Sequence, residues 1–258
     1  MRIFDIGFYD GKDSNYYLER GFEVVAFEAN PILCETGRRL FSEAISSGQL
    51  QLHNLGIGSK SGHSVDFFIH NDSEEWSTFL RQAAINWGAG KSRVIQVPCI
   101  TPKEMFAEFG CPDYLKVDIE GCDFLVADEL RSLAVKPDLV SFEATNIQLL
   151  QALVLAGYQS FKMVDQARVP LQIVSDDITS RESKFSGGTG PFGDDTEGEW
   201  ITFENACYLY YRFAEDPFSI SNTVGHWFDI HASIKLPKLN RIQQRDYLRR
   251  LIGETYNG

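Results

Sequence analysis

Short runs rich in β-branched and aromatic residues alternate with helix-like segments through the first two thirds of the chain. Of all its features this alternation constrains the fold most. Strands joined by helical crossovers run parallel, and the sheet they form must be covered on both faces. The pattern predicts strands in RIFDI, FEVVAFE, QLQLHNLGIG, DYLKVDI, DLVSFEA and YQSFKMV, with SVDFFIH as a short or edge strand. Helices are expected between them: Ser14 to Arg20, stopped by Gly21; Pro31 to Ser47; Pro102 to Phe109, capped by Thr101 and stopped by Gly110; Asp123 to Leu133; and Asn146 to Ala156. The fold class is therefore α/β with a mostly parallel sheet.

In such sheets ligands sit beyond the carboxyl ends of the strands. Asp5, Glu28, Asp118 and Glu143 each lie at or near the end of a predicted strand. The first of these ends reads Asp5-x-Gly7-x-x-x-Gly11, where a dinucleotide turn would read G-x-G-x-x-G. A pyrophosphate seeks bare amides and a helix N-terminus, without a carboxylate beside them. A ligand carrying an ammonium and a sulfonium is attracted by an acid there. S-adenosylmethionine is such a ligand. Gly7 and Gly11 let the backbone come close to it. Glu28, 23 residues after Asp5, suits two ribose hydroxyls. Glu28 alone would suit a nicotinamide dinucleotide equally well, so an oxidoreductase on a similar sheet stays open, as does a non-catalytic binding protein.

The net charge of −12 opposes a nucleic-acid duplex as partner. Five cysteines without a C-x-x-C pair point to reduced thiols, neither a disulfide framework nor a zinc site. With no basic-then-apolar leader and no long apolar run, the expectation is a cytoplasmic protein off the membrane. Residues 1–174 read as the core. Asn71 to Lys91 has no clean period and holds Trp76 and Trp87, as an insertion or lid would. Residues 175–258 begin with a Gly-, Ser- and acid-rich stretch, expected to form a lid over Ser186–Gly198 anchored by Phe185, Phe192 and Trp200. They end in Lys235–Gly258, with six basic and two acidic residues, where Arg241, Arg245 and Arg249 share a helix face.

FDIGFYDGKDSNYYLERGFEVVAFEANP together with DYLKVDIEGCDF resembles the FkbM-type S-adenosylmethionine-dependent methyltransferases. That family's D-x-G-x-x-x-G-x-x-S/T, V-x-x-x-E-x-N-P and K-x-D-x-E-G stretches occur here in order, and GPFGDDTEGEW and WFDIHA resemble C-terminal features of one branch. Tyr9 is a departure, since many relatives have Asn there. The resemblance implies a class I, Rossmann-like, doubly wound methyltransferase fold acting on a hydroxyl oxygen. It implies cofactor contacts from Asp5, Gly7, Phe8, Gly11, Ser14, Glu28, Ala29, Asn30, Gly56 and Asp118. With no cap domain ahead of the first strand, the acceptor pocket is expected from the 71–91 insertion and the region after Ser175.

Methyl transfer to oxygen requires alignment, exclusion of water and removal of a proton. The candidates for the proton are Asp118, Glu120, Glu143, His226 and His231, with Glu120 and His231 preferred. No spacing demands a metal, and Cys122 lacks a base beside it. The expected partner is a small polar acceptor, a sugar or secondary metabolite. A homo-oligomer stays open.

Overall fold

The computed structural model describes residues 1–62, 64–171, 173–174, 183–184, 189–212 and 227–235. The chain divides into two compact units, Met1–Pro137 and Asp138–Gly258. The change of texture after residue 174 falls inside the second.

The first unit follows the alternation read from the sequence. Strand β1 (Arg2–Ile6) leads to α1 (Lys12–Glu19), β2 (Glu23–Phe27), α2 (Pro31–Leu40), α3 (Ser42–Ser46) and β3 (Leu50–His53). There follow β4 (Gly56–Ile57), β5 (Ser64–His70), α4 (Arg81–Asn86), β6 (Ser92–Ile100), α5 (Pro102–Phe109), β7 (Tyr114–Val117) and α6 (Asp123–Glu129). Four strands in the order β3-β2-β1-β7 pair in parallel, the Rossmann-like arrangement. Phe4, Phe27, Tyr17 and Tyr114 are fully buried in this unit. The Phe4 ring meets Phe27 edge-on at 6.0 Å and stacks on Phe106 at 6.3 Å. Burying one such side chain is worth about 1.5–3 kcal/mol.

Three details differ from the sequence reading. The helix expected over Pro31–Ser47 breaks at Phe41, whose ring turns in to meet Phe8 at 5.7 Å. The third strand stops at His53, because the Asn54 side-chain amide turns back to donate to the carbonyls of Glu28 and Ala29. The chain then joins a separate three-stranded sheet, β4-β6-β5. Its middle strand, β6, pairs antiparallel with β5 from Ser64↔Pro98 to His70↔Ser92 and was not foreseen. Pro98 inside the apolar run disguised it. The insertion is the connection between β5 and β6, with a short 3-10 turn at Glu74–Trp76 before α4. The capping box expected ahead of α5 is present: the Thr101 hydroxyl accepts from the Glu104 amide, and the Glu104 carboxylate accepts from the Thr101 amide.

The second unit holds β8 (Leu139–Glu143), α7 (Ile147–Ala156), β9 (Ser160–Asp165), β10 (Ile173–Val174), β11 (Ser183–Lys184), α8 (Phe203–Tyr210) and β12 (Phe228–Ser233). Asn146 caps α7, accepting from the Gln148 amide at 2.8 Å, and Gly157 ends it in the left-handed conformation. Leu149, Leu150 and Leu153 form its buried stripe. Strand β12 enters between β8 and β9, antiparallel to both. All six of its residues are buried. Asp229 and His231 interrupt its apolar run, so its sequence does not stand out as a strand. Among the described residues no helix is long and apolar enough to cross a membrane.

Candidate functional site

The first turn is organised by a buried lysine. Lys116 sits inside β7, 3% exposed, with its ammonium 3.1 Å from the Asp5 carboxylate and 3.3 Å from that of Asp13. It also donates to the Gly7 carbonyl at 2.7 Å. The other Asp5 oxygen accepts from the Ser14 hydroxyl at 2.7 Å. Burial pushes the Asp5 carboxyl up, against the pull of Lys116. The surrounding acids hold the lysine well above its ordinary range despite its burial. Asp5 and Ser14, both fully buried, thus serve Lys116 and the turn. Sequence reasoning missed Lys116. The signal was available: a charge inside an otherwise apolar strand of a doubly covered sheet must find a partner.

Gly7 is fixed by the backbone beneath it. Its φ is +92°, and a Cβ there would lie 1.9 Å from the Asp118 carbonyl oxygen. Gly11, φ +79°, precedes α1, and a Cβ on it would strike the rings of Phe8 and Phe41. Phe8 itself is buried. Five amides of the turn are already spent. Those of Gly7 and Phe8 donate to the Phe27 carbonyl, that of Gly11 to the Phe8 carbonyl, and that of Lys12 to Asp10. The Tyr9 amide donates to Glu28 at 2.8 Å.

Glu28 ties two loops together, since its second oxygen accepts from the Asn30 amide at 2.7 Å. Burial raises its pKa, against the two amides that favour the charged form. Asn30 is buried and caps α2 through its oxygen, while its buried side-chain nitrogen has no hydrogen-bond partner among the described residues. Ala29, between them, is half-buried. Gly56 is covered by the insertion: a Cβ on it would fall 2.3 Å from the Phe79 ring.

At the end of β7 the chain turns sharply. Asp118, Ile119 and Glu120 are half-buried, and Glu120 and Gly121 both take positive φ, +50° and +97°. The alternation expected of a straight strand therefore stops at Val117. Asp123 holds the turn from below, accepting from the amides of Gly121 at 3.1 Å and Ile119 at 3.4 Å. Burial raises the Asp118 carboxyl. Burial, reinforced by Asp118, Asp123 and Glu75, raises Glu120 to about 8. Asp123 rises to about 6, again mainly through burial.

In the second unit Glu143 is the last residue of β8 and stands opposite Asp229 of β12. His231 lies two residues deeper, opposite Ser141 and Lys162. It is fully buried, its Nε2 has no hydrogen-bond partner among the described residues, and burial with the nearby Lys162 ammonium lowers it to about 3. That is the setting of a neutral core histidine. Lys162 donates to the carbonyls of Gly193 and Thr196 at 2.9 and 3.0 Å, and its ammonium lies 5.1 Å from the centre of the Trp200 ring. Trp200 donates to Asp194, and Phe192 is buried. The described part of GPFGDDTEGEW is thereby fastened to β9. His226, Phe185 to Gly188 and Arg241, Arg245 and Arg249 lie outside the described residues.

Residues 5–164 match the model of the methyltransferase FkbM domain. The chain belongs to this family. The FkbM match runs from Asp5 to Val164, so it includes the Lys116 cluster, the Glu28 bridge and the Asp118–Asp123 turn. It makes the chain a methyltransferase of the α/β, class I fold. No curated protein sequence matches the FkbM-family chain. Among solved structures, the chain is similar to the cyclase SpnF, at 12% identity over 92% of this chain and 76% of that one, with a TM-score of 0.38. It is similar to StiE O-MT residues 961–1257, at 8% identity over 99% of this chain and 73% of that one, also with a TM-score of 0.38.

Proposed function

We propose that this FkbM-family protein transfers a methyl group from S-adenosylmethionine to a hydroxyl oxygen of a small polar acceptor, a sugar or secondary metabolite. The observation that carries the reading is a glycine turn most of whose amides are already spent, bordered by carboxylates. A dinucleotide pyrophosphate would find most of its donors occupied. A ligand offering hydroxyls and an ammonium finds acceptors in Glu28 and Asp118, and the partnerless Asn30 side-chain nitrogen beside Glu28 offers a donor. These residues fit S-adenosylmethionine.

When bound, the cofactor supplies an activated methyl group. Glu28 would take the ribose hydroxyls on the oxygen lone pairs left beside the Tyr9 and Asn30 amides. Asp118 would face the amino-acid end. Glu120 is the choice for the acceptor's proton: raised to about 8, its ionised form is a stronger base than an ordinary carboxylate, and turnover should climb as pH rises toward 8. His231 takes no part, since it is a core residue of its own unit. Glu143 stays a second candidate by its place at the end of β8.

Calorimetry with S-adenosylhomocysteine tests the cofactor assignment. Glu28→Ala should weaken binding by about 1.5–3 kcal/mol for each hydrogen bond lost, and wild-type affinity in that variant would remove Glu28 from the site. Methyl-labelled S-adenosylmethionine incubated with metabolite extracts tests the acceptor. Label stable to base and attached to oxygen is expected, whereas label on nitrogen or carbon would refute O-methylation. With the acceptor in hand, Glu120→Gln should slow turnover about 10²–10⁴-fold at unchanged cofactor affinity.

A further inference from the structure

Among the described residues of the first unit, two other than glycine take positive φ, Tyr9 and Glu120, and the insertion touches both. The Tyr9 hydroxyl donates to Glu75 at 3.3 Å. The Thr78 hydroxyl donates to the Glu120 carbonyl at 2.7 Å, across 42 residues of sequence. A residue other than glycine is strained in the left-handed region and stays there only where its surroundings enforce it. Something must therefore hold Glu120 there.

Thr78 is built to do so. It is 1% exposed. Its backbone is bolted to β5 by two hydrogen bonds with Phe68, 2.9 and 3.0 Å long. Its hydroxyl also accepts from the Leu80 amide at 3.0 Å, which fixes the direction in which it donates. Leu80 then lies over Gly121, where an added Cβ would come 2.5 Å from its Cδ1. The insertion grips the Glu120–Gly121 turn from one side, while Asp123 grips it from the other. Two residues earlier, the Asp118 carbonyl is pressed against Gly7. A continuous run of rigid contacts thus leads from β5, through one hydroxyl, to the floor of the first glycine turn.

We propose that Thr78 is a positioning residue of the methyl-transfer site, holding the Asp118–Gly121 turn in register with the Gly7 turn. The inference rests on the S-adenosylmethionine reading above. It gives the insertion a role on the cofactor side, in addition to any contact with the acceptor.

Calorimetric binding of S-adenosylhomocysteine to the full-length protein tests it. Thr78→Val keeps the shape and removes the hydroxyl, leaving the half-buried Glu120 carbonyl without this donor. Affinity is expected to fall about tenfold. Thr78→Ser restores the hydroxyl and should return affinity to near the wild-type value. Asn71→Ala removes the bond from its side chain to the Gly90 carbonyl in the same insertion and leaves Glu120 untouched. It should bind like wild type. Full affinity in Thr78→Val, failure of Thr78→Ser to rescue, or an equal loss in Asn71→Ala would each overturn the assignment. If Thr78→Val does not fold, Leu80→Ala decides, because Leu80 is 43% exposed and its loss spares the core. A severalfold loss of affinity supports the proposal and wild-type affinity refutes it. A wild-type protein that binds no S-adenosylhomocysteine would overturn the cofactor reading itself, a result distinct from any of these.

Discussion

Gly7 shows how one position can be conditioned by the protein before any ligand is considered. From the sequence this glycine has one role, to let the backbone come close to a cofactor. The nearest atom to its missing Cβ is instead a backbone oxygen, that of Asp118. Gly7→Ala should therefore destabilise the protein by about 2–4 kcal/mol. Gly21→Ala is the natural comparison, with φ +77° but no atom within 4 Å, and should cost about 1–2 kcal/mol. Urea unfolding of the two variants checks the difference, and equal midpoints would show that the Asp118 contact yields. Glu120 makes a second prediction at this scale. Its folded pKa, about 8, lies above the ordinary 4.5, so the folded state holds the proton more tightly than the unfolded chain does. Its contribution is complete below about pH 4.5 and is lost as pH rises through about 8. Glu120→Gln should remove that decline, gaining on wild type between pH 5 and 8.5. Parallel pH profiles of the urea midpoint would mean that Glu120 is well hydrated.

Most elements of the first unit were legible as elements. Each parallel strand is a short apolar run bounded by a turn, and some helices carry their own cap and stop, as α5 does in Thr101 and Gly110 and, in the second unit, α7 in Asn146 and Gly157. What escaped were strands whose apolar pattern is broken by a residue with a tertiary purpose. Pro98 hides β6, and Asp229 and His231 hide β12. The site was legible in its glycines and carboxylates but not in its cation. A lysine in DYLKVDI resembles any surface lysine until the strand is known to be covered on both faces. Lys162 in YQSFKMV is the same case in the second unit. Its ammonium is the donor to two carbonyls of the segment around Gly193 and Thr196. Lys162→Met should loosen that segment without unfolding the protein. Cleavage after the exposed Glu197 by a glutamyl protease should quicken about tenfold, as expected when buried carbonyls lose their donor. Unchanged cleavage would mean that Phe192 and Trp200 suffice to hold it.

At the scale of the molecule the dominant quantity is charge. The chain carries −12, and S-adenosylmethionine is more positive by one charge than S-adenosylhomocysteine. Attraction at distances beyond about 8 Å is screened at physiological salt. Raising salt from 50 to 500 mM should therefore weaken S-adenosylmethionine more than S-adenosylhomocysteine, and identical salt slopes in calorimetry would confine the acids' influence to direct contact. The lysine inside β7 has a further consequence, for how such a chain can be recombined. Asp5 and Asp13 share the one ammonium of Lys116, which comes from a segment a hundred residues away in sequence. A chimera that draws its first twenty residues from one parent and its KVDIEG stretch from another inherits a working core only if both parents keep the same three charges. A library that randomises Asp5 alone would yield mostly insoluble protein, whereas one that varies all three positions together has neutral solutions to find.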